Sequence, residues 1–194
     1  MRAEKKKDNL ELLRGLQNKE AEAVREFVGR YAPRISAYLK CFVYSSELCE
    51  DLTQEALVKA CRKCSQIRNP RRFESWLFTM TRNMAFRELQ RKRHSAEIHR
   101  EQEWFENIHQ SAGNDPVKKL SAEECSRLLN NALSRLDDKR REIMALRYYS
   151  ELSHKEIAEV MHIPVGSIGV TISRSLETMK KYFDSKGMKL EDLI

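Results

Sequence analysis

Glycine and proline are scarce in this chain, with six and four residues among 194. This scarcity excludes collagen-like and Pro/Gly-rich disordered chains, and it disfavours a sheet-rich fold with many tight turns. No apolar run approaches the roughly 18–20 residues that a membrane-spanning helix needs. The start, MRAEKKKDNLELL, is basic but lacks the apolar core of a secretory signal. We therefore expect a cytoplasmic protein with no membrane partner.

The five cysteines are an odd number, and with no export signal they predict free thiols in a reducing compartment. Cys61 and Cys64 form a CxxC pair on a predicted helix, with His94 and His99 distant in sequence. A zinc site needs four ligands, and this pair supplies two. We predict no metal, no cofactor and inert cysteines; a metal- or redox-sensing pair stays open as the alternative. The sequence shows no oriented Cys–His pair of the kind that would indicate nucleophilic catalysis by a cysteine.

The net charge of +7 is distributed unevenly along the chain. Residues 1–94 contain 21 Lys and Arg against 12 Asp and Glu, a net of +9. Residues 95–194 contain 15 against 17, a net of −2. The excess in the first half indicates a polyanionic partner for that half. A soluble basic protein with scattered lysines is the alternative at this point.

Apolar residues recur at helical spacing in both halves, and no segment alternates with period two, so the sequence predicts an all-α fold without strands. Pro33 is expected in the first turn of a new helix. A further helix is expected over Glu50–Cys64, followed by a loop over 65–72 that Pro70 marks. The apolar stripe of the long helix that follows comprises Phe73, Trp76, Leu77, Met80 and Met84. Phe73 and Trp76 are interpreted as core residues rather than as stacking platforms.

Residues 95–120 are acidic and contain turn-forming residues, so they predict a linker between domains at 1–94 and 121–194. In the second domain, Ser153 and Glu156 form a capping box. His162 stands where a helix-turn-helix needs positive φ, and Pro164 suits the start of the next helix. The core stripe of that helix is predicted to be Val165, Ile168, Ile172, Leu176, Met179 and Phe183. This pattern is typical of a DNA-binding helix-turn-helix; a plain helical hairpin is the alternative.

Several short motifs stand in a fixed order along the chain. EDLTQEA at residues 50–56 is followed by FESWLF at 73–78 and RNMA at 82–85. REI at 141–143, EIAE at 156–159 and PVGSI at 164–168 come later. In this order and spacing, over about residues 9–183, the chain resembles the extracytoplasmic-function (ECF) sigma factors of bacterial RNA polymerase.

The resemblance implies two small helical domains, sigma region 2 and, as the helix-turn-helix, region 4. It implies no enzymatic activity: the protein would bind core RNA polymerase, direct it to specific promoters and assist promoter opening. The residues implied to contact core polymerase are Glu50, Asp51, Gln54 and Glu55. The rival interpretations are a solvated helix face for these residues, a helix-turn-helix regulator that is not a polymerase subunit, and a CxxC redox enzyme.

The resemblance also implies promoter contacts in both domains. Those expected at the −10 element are Asn69, Arg71, Arg72, Arg82, Asn83, Phe86, Arg87, Gln90, Arg91 and Arg93. An Asn amide can pair bidentately with a base edge, arginines suit phosphates, and the loop at 65–72 matches one that captures a flipped base. Those expected at the −35 element are Ser153, Ser167, Gly169, Val170, Thr171 and Arg174.

The resemblance implies further partners, and this sequence also differs from the family's usual residues at several positions. An anti-sigma protein is implied, and the acidic linker would pass through polymerase channels; a disordered tether is the alternative. Thr171 stands where the family commonly has Arg, Arg87 where it usually has Asp, and Gln90 where it usually has Arg. Gly169 costs about 1 kcal/mol inside a helix. We hypothesise that region 4 contributes less DNA affinity than region 2 and that an additional recruiting factor helps to place the polymerase.

Overall fold

The computed structural model describes the backbone of residues 2–94 and 122–188, and the side chains of residues 9–92 and 128–188. Within these ranges the chain is helical and contains no strand, which confirms the all-α prediction. The N-terminal block comprises α1 (Arg2–Gln17), α2 (Ala21–Leu39), α3 (Ser46–Lys63) and α4 (Phe73–His94). The C-terminal block comprises α5 (Ala122–Ser134), α6 (Asp138–Tyr148), α7 (His154–Met161) and α8 (Val165–Ser185). None of these helices is long and apolar enough to span a bilayer.

Helix α2 runs without a break through Pro33, so the predicted start of a new helix there is wrong. Proline removes the hydrogen bond to the carbonyl four residues earlier, here that of Gly29. Both residues are exposed, and water can bond the freed carbonyl. The opposite face is buried continuously by Phe27, Tyr31 and Ile35. Burial of that face keeps the helix intact despite the missing donor.

Aromatic rings on α2 and α4 build the core of the N-terminal block. Phe27 and Tyr31 contact Phe73, with ring centroids 6.0 and 5.5 Å apart. Tyr38 lies edge-on to Phe78 at 5.6 Å. Phe73 and Phe78 of α4 are fully buried, which confirms Phe73 as a core residue. The first turns of α4 are therefore anchored in the core.

A buried polar cluster accompanies these rings. The Arg34 guanidinium donates to the Glu74 carboxylate at 2.8 Å, and both side chains are almost entirely buried. The Tyr31 hydroxyl lies 3.2 Å from that carboxylate and 3.2 Å from the amide oxygen of Asn9 on α1. Buried charges and hydroxyls require such partners. The cluster consequently fixes α1, α2 and α4 relative to one another.

Helix α3 begins four residues before the predicted start, because the Ser45 hydroxyl caps it by accepting from the Leu48 N–H at 3.2 Å. Two turns of 3₁₀ helix, Cys64–Gln66 and Pro70–Arg72, follow it where the sequence predicted a loop. The Asn69 side chain starts the second turn by accepting from the Arg71 N–H at 3.0 Å. The segment between α3 and α4 is thus locally ordered by its own caps.

Helices α7 and α8 form the predicted helix-turn-helix. The Ser153 N–H donates to the Glu156 carboxylate at 2.8 Å, and the Glu156 N–H donates to the Ser153 hydroxyl at 3.3 Å, which confirms the capping box. His162 has φ 54° and ψ 45°, the left-handed conformation that its position predicted. Val165 is 54% exposed, so its assignment to the core stripe is wrong. The first turn of α8 extends beyond the core, and burial begins at Ile168.

The two blocks pack against each other, with α4 lying on α7 and α2 contacting α6. Buried apolar side chains from both blocks belong to one hydrophobic cluster. Within the C-terminal block, Arg140 of α6 donates to the hydroxyls of Ser175 at 3.2 Å and Thr178 at 2.8 Å on α8. These contacts hold the helix-turn-helix against α6, which in turn faces the N-terminal block.

Replacing Phe27 with Ala should lower the free energy of unfolding by about 3–5 kcal/mol, because it leaves a cavity among the aromatic rings. The adjacent Val28→Ala change is the matched control, since Val28 is 40% exposed. It should change stability by less than about 0.5 kcal/mol. Urea unfolding followed by circular dichroism measures both. Equal effects of the two substitutions would contradict the core described here.

Candidate functional site

An exposed polar face on α3 carries the residues predicted to contact core polymerase. Glu50, Asp51, Gln54 and Glu55 are all exposed, and their spacing places them on one side of the helix. Val58 is 51% exposed and continues this side by one turn. Sequence reasoning missed Val58, although its spacing from Gln54 and Glu55 could have revealed it. We call these five residues the α3 face.

A shallow cavity of about 340 Å³ adjoins the α3 face and lies between α3 and α4. Its lining residues are Leu48, Asp51, Leu52, Glu55, Lys59, Met84, Arg87 and Glu88. Two carboxylates of the α3 face and the guanidinium of Arg87 therefore line one concave surface. This cavity joins the surface predicted for polymerase with the surface predicted for DNA.

The −10 residues predicted on α4 lie along one side of that helix. We call this surface the α4 face; it consists of Arg82, Asn83, Phe86, Arg87, Gln90 and Arg91. All except Arg82 are exposed, and Arg82 is half-buried. Arg91 donates to Glu88 at 2.7 Å, and this hydrogen bond lowers the pKa of the Glu88 carboxyl. Arg93 belongs to α4, but its side chain lies outside the described residues.

Arg82 is held by aromatic and acidic groups. Its guanidinium lies 4.7 Å from the centroid of the Phe86 ring, which stacks on Phe42 at 5.7 Å and 18°. Its Nε donates at 2.8 Å to Glu142 of α6. Glu142 also accepts from the Tyr38 hydroxyl at 2.7 Å. Sequence reasoning could not predict this contact, because it joins residues that lie 60 positions apart in the chain.

The connection between α3 and α4 exposes the three predicted promoter residues Asn69, Arg71 and Arg72. The Asn69 side-chain oxygen caps the 3₁₀ turn, so its amide N–H₂ is the part left for a base. Arg72 lies 3.8 Å from Glu159 of α7, with 69% of the arginine side chain exposed. The structure therefore places the three residues together at the N-terminal end of α4.

The predicted −35 residues are spread over the helix-turn-helix. Ser153 serves the capping box, since its hydroxyl donates to Glu156 at 2.5 Å. The hydroxyls of Ser167 and Thr171 each donate to a backbone carbonyl at 2.7 Å, which leaves their oxygen lone pairs as acceptors. Ser167, Val170 and Arg174 are exposed on α8.

The first nine residues of α8 carry no positive charge, because Arg174 is the first cation after Val165. Gly169 lies beside His154 of α7, whose imidazole is 3.7 Å from where a Cβ on the glycine would stand. A methyl group would fit there in ordinary contact. The recognition helix consequently offers small side chains and few phosphate ligands.

Four cysteines have described side chains, and all are free: Cys41, Cys49, Cys61 and Cys64. Burial raises the pKa of the Cys41 thiol to about 12, against the opposing charge of Arg141. Burial also raises the pKa of Cys49 to about 11, and it raises the pKa values of Cys61 and Cys64. Such thiols are protonated and unreactive near neutral pH. In the part of the chain that the structure describes, His, Cys, Asp and Glu form no group of three that could bind a metal.

Two family models match the chain, one in each helical block. The model of Sigma-70 region 2 matches residues 27–95, and that of Sigma-70, region 4 matches residues 126–179. The first range includes the α3 and α4 faces, and the second includes the helix-turn-helix.

Curated relatives match most of the chain. The RNA polymerase sigma-H factor of Pseudomonas aeruginosa is 27% identical over 176 residues, which cover 88% of this chain and 91% of the relative. The ECF RNA polymerase sigma-E factor of Escherichia coli is 28% identical over 177 residues, with 87% and 90% covered. The ECF RNA polymerase sigma factor SigW of Bacillus subtilis is 28% identical over 137 residues, with 68% and 73% covered.

Solved structures share the fold. CnrH in complex with the cytosolic domain of CnrY has a TM-score of 0.63 at 19% identity, covering 90% of this chain and 96% of CnrH. The sigma factor RpoE of Bartonella quintana, in complex with the anti-sigma factor NepR, has a TM-score of 0.57 at 20% identity, with 81% and 94% covered.

The buried thiols and phenols predict a loss of stability at alkaline pH. Burial raises the pKa of Cys41 and Tyr149 to about 12 and that of Cys49 to about 11, whereas an unfolded thiol ionises at about 8.5. The folded chain therefore retains protons that the unfolded chain loses, so stability is complete below about pH 8.5 and falls as pH rises towards the folded pKa. Urea unfolding midpoints measured between neutral pH and pH 10 should fall progressively.

The free energy of unfolding of the Cys41→Ala variant should decline less steeply with rising pH, by up to about 1.4 kcal/mol per pH unit. The difference in this free energy between the variant and the wild-type chain at neutral pH corrects for the packing lost with the thiol. Parallel declines of both proteins would contradict the role of the Cys41 thiol.

Proposed function

The chain belongs to the extracytoplasmic-function (ECF) sigma factors of the sigma-70 family, and from this membership we infer the role of each of its surfaces. It directs RNA polymerase to promoters at transcription initiation. The observation that carries this function is the succession of a region 2 match and a region 4 match on one chain. A helix-turn-helix regulator outside the polymerase is not favoured, because such a protein has no use for region 2.

We assign residues 1–94 to the region 2 domain, 95–120 to a linker and 121–194 to the region 4 domain. The matched ranges, 27–95 and 126–179, support this division. The end of α4 at His94 and the start of α5 at Ala122 agree with it. The linker lies outside the described residues; its acidic composition suits passage through basic channels of the polymerase.

Core polymerase contacts the α3 face in this proposal. Asp51 and Glu55 supply negative charge, and Val58 supplies an exposed apolar group beside them. Interfaces commonly combine an apolar centre with a polar rim. The adjoining cavity offers a recess into which a side chain of the polymerase could insert.

The −10 element binds the α4 face and the turn at Asn69, Arg71 and Arg72. The exposed arginines contact phosphates and provide affinity that depends on salt. Asn83 is exposed among them, and its amide suits a base edge. Promoter opening requires an unstacked base, and the turn before α4 is the place where we expect it to bind.

The −35 element binds α8 more weakly. Ser167, Val170 and Thr171 provide hydroxyl and methyl contacts, and Arg174 is the first cation along the helix. Such a surface forms few phosphate contacts. We therefore propose that an additional factor helps to recruit the polymerase at promoters of this protein.

An anti-sigma partner, a cytoplasmic location and the absence of enzymatic activity complete the proposal. NepR is named an anti-sigma factor in its complex with RpoE, which supports a regulator of that class for this chain. The buried thiols with raised pKa values agree with structural rather than chemical roles for the cysteines.

Run-off transcription with purified core polymerase tests the function directly. Addition of this chain should create defined start sites on a library of genomic fragments. In the same assay the Asp51→Ala variant should need more protein, since loss of one interfacial carboxylate should weaken core binding about tenfold. Binding to core polymerase is measured separately by fluorescence anisotropy of the labelled chain.

The matched control is Glu22→Ala, which removes an exposed carboxylate that belongs to α2 and not to the α3 face. It should bind core polymerase like the wild-type chain. Failure of the wild-type chain to direct any start site would overturn the proposed function. Equal binding by both variants would overturn the role of the α3 face.

Unequal DNA binding by the two domains predicts a salt-dependent footprint. On promoter DNA bound to the holoenzyme, protection at the −35 element should be lost at lower salt than protection at the −10 element, because α8 offers few cations. Hydroxyl-radical footprinting across a salt series measures this order. Protection of the −35 element that persists to the higher salt would refute the weaker role of α8.

A further inference from the structure

The outward side of α8 is centred on an apolar residue, Val170. Ile168 and Ile172, which stand two positions before and after it, are buried. Each position advances about 100° around a helix, so two positions place Val170 on the side opposite both isoleucines. Its side chain is accordingly 52% exposed. Because the second helix of a helix-turn-helix presents its N-terminal part to base edges in the major groove, Val170 lies in the middle of the side that would face the bases.

The hydroxyl groups beside Val170 are set to accept hydrogen bonds rather than to donate them. Ser167 donates its proton to the Pro164 carbonyl at 2.7 Å. Thr171 donates its proton to the Ser167 carbonyl, also at 2.7 Å. In the major groove adenine and cytosine present amino donors, whereas guanine presents the acceptors N7 and O6. The two hydroxyl oxygens therefore match the amino groups and offer guanine no partner.

The start of α8 also lacks the side chains that most often contact guanine. Arginine and lysine form the common bidentate contact with that base. The first such residue on α8 is Arg174, nine positions after Val165. This distance is about two and a half turns of helix. Over the first two turns, the side chains outside the core are thus apolar or accept hydrogen bonds.

Two glycines in this part of α8, Gly166 and Gly169, are not required by the packing of the chain. Neither has the positive φ that favours glycine. A Cβ on Gly166 would meet nothing within 4 Å, and one on Gly169 would lie in ordinary contact with His154. Glycine destabilises a helix relative to alanine, so a benefit outside the folded chain should offset this cost. A missing side chain lets a ligand approach the helix backbone closely.

We propose that Val170 reads the 5-methyl group of a thymine in the −35 element, and that Gly166 lets α8 enter the groove deeply enough for this contact. The inference rests on the proposed function and names the base that α8 recognises. Contact between the valine and thymine methyl groups removes apolar surface from water. The paired adenine presents an amino group that Ser167 or Thr171 can accept, so the whole A·T pair suits this surface.

Replacement of thymine by deoxyuridine tests the contact directly, because it removes the 5-methyl group and keeps the hydrogen-bonding groups of the base. Promoter duplexes are taken from the start sites that run-off transcription defines, and each carries deoxyuridine at one thymine of the −35 element. Holoenzyme assembled from core polymerase and the full chain is titrated against each fluorescein-labelled duplex. Fluorescence anisotropy measures the dissociation constants.

At one position, deoxyuridine should weaken binding by the wild-type holoenzyme about fourfold, the effect of one buried methyl group. Holoenzyme with Val170→Ala should bind the thymine duplex more weakly and should no longer distinguish the two bases. The matched control is Val28→Ala, the same change at a 40% exposed position of α2, which should keep the fourfold ratio. Alanine favours helix and Val170 is exposed, so the variant should fold, as circular dichroism checks.

Gly166→Ala tests the close approach of the helix. The added methyl group meets nothing in the free chain, so the chain should stay folded. It should nevertheless weaken binding of the thymine duplex and bring the ratio of the two dissociation constants from four towards one, because the helix can no longer enter as deeply. Unchanged affinity and an unchanged ratio would overturn the role of this glycine.

The outcomes separate this inference from the proposed function. An active wild-type holoenzyme that binds all duplexes equally would overturn the thymine contact alone. So would a Val170→Ala holoenzyme that still distinguishes thymine from deoxyuridine, or active promoters whose −35 elements contain no thymine. A chain that directs no start site would overturn the sigma-factor function, and the thymine contact with it.

Discussion

Two phenol hydroxyls on α2 constrain much of this structure, because neither can be buried without a hydrogen-bond partner. The stripe that carries Tyr31 and Tyr38 is the centre of the aromatic core. The Tyr31 hydroxyl donates hydrogen bonds to Glu74 and Asn9, and so joins three helices of the N-terminal block. The Tyr38 hydroxyl donates to Glu142, which belongs to α6 in the C-terminal block. The same requirement thus stabilises the core and draws the two blocks together.

The features that the sequence predicted correctly depend on neighbouring residues. The capping box at Ser153 and the left-handed turn at His162 are local conformations that a few adjacent residues determine. The helical stripe through Phe73 and Leu77 follows from spacing alone. The exposed positions of Asp51 and Asn83 follow from the same spacing. The partners predicted for these residues rest on motifs shared with a family, because helical spacing predicts exposure and does not predict what an exposed side chain contacts.

The features that sequence reasoning missed depend on the fold as a whole. Pro33 remains inside α2 because one side of that helix is buried and the other faces water. Phe78 lies off the predicted stripe of α4, yet it is fully buried because Tyr38 covers it. Glu142 is buried because partners reach it from α2 and α4. A periodic pattern indicates which side of a helix is apolar and says little about a second surface that folding brings to it.

The cavity between α3 and α4 places Asp51 and Glu55 on the same concave surface as Arg87. Their negative charge lowers the electrostatic potential that a phosphate meets near this arginine. A basic surface of the polymerase on α3 would neutralise the carboxylates and raise that potential. By thermodynamic reciprocity, DNA on α4 would then strengthen the hold of the polymerase by the same factor. With polymerase on α3 and DNA on α4, as proposed, this one recess of modest volume would couple the two ligands, so that binding of either would increase the affinity for the other.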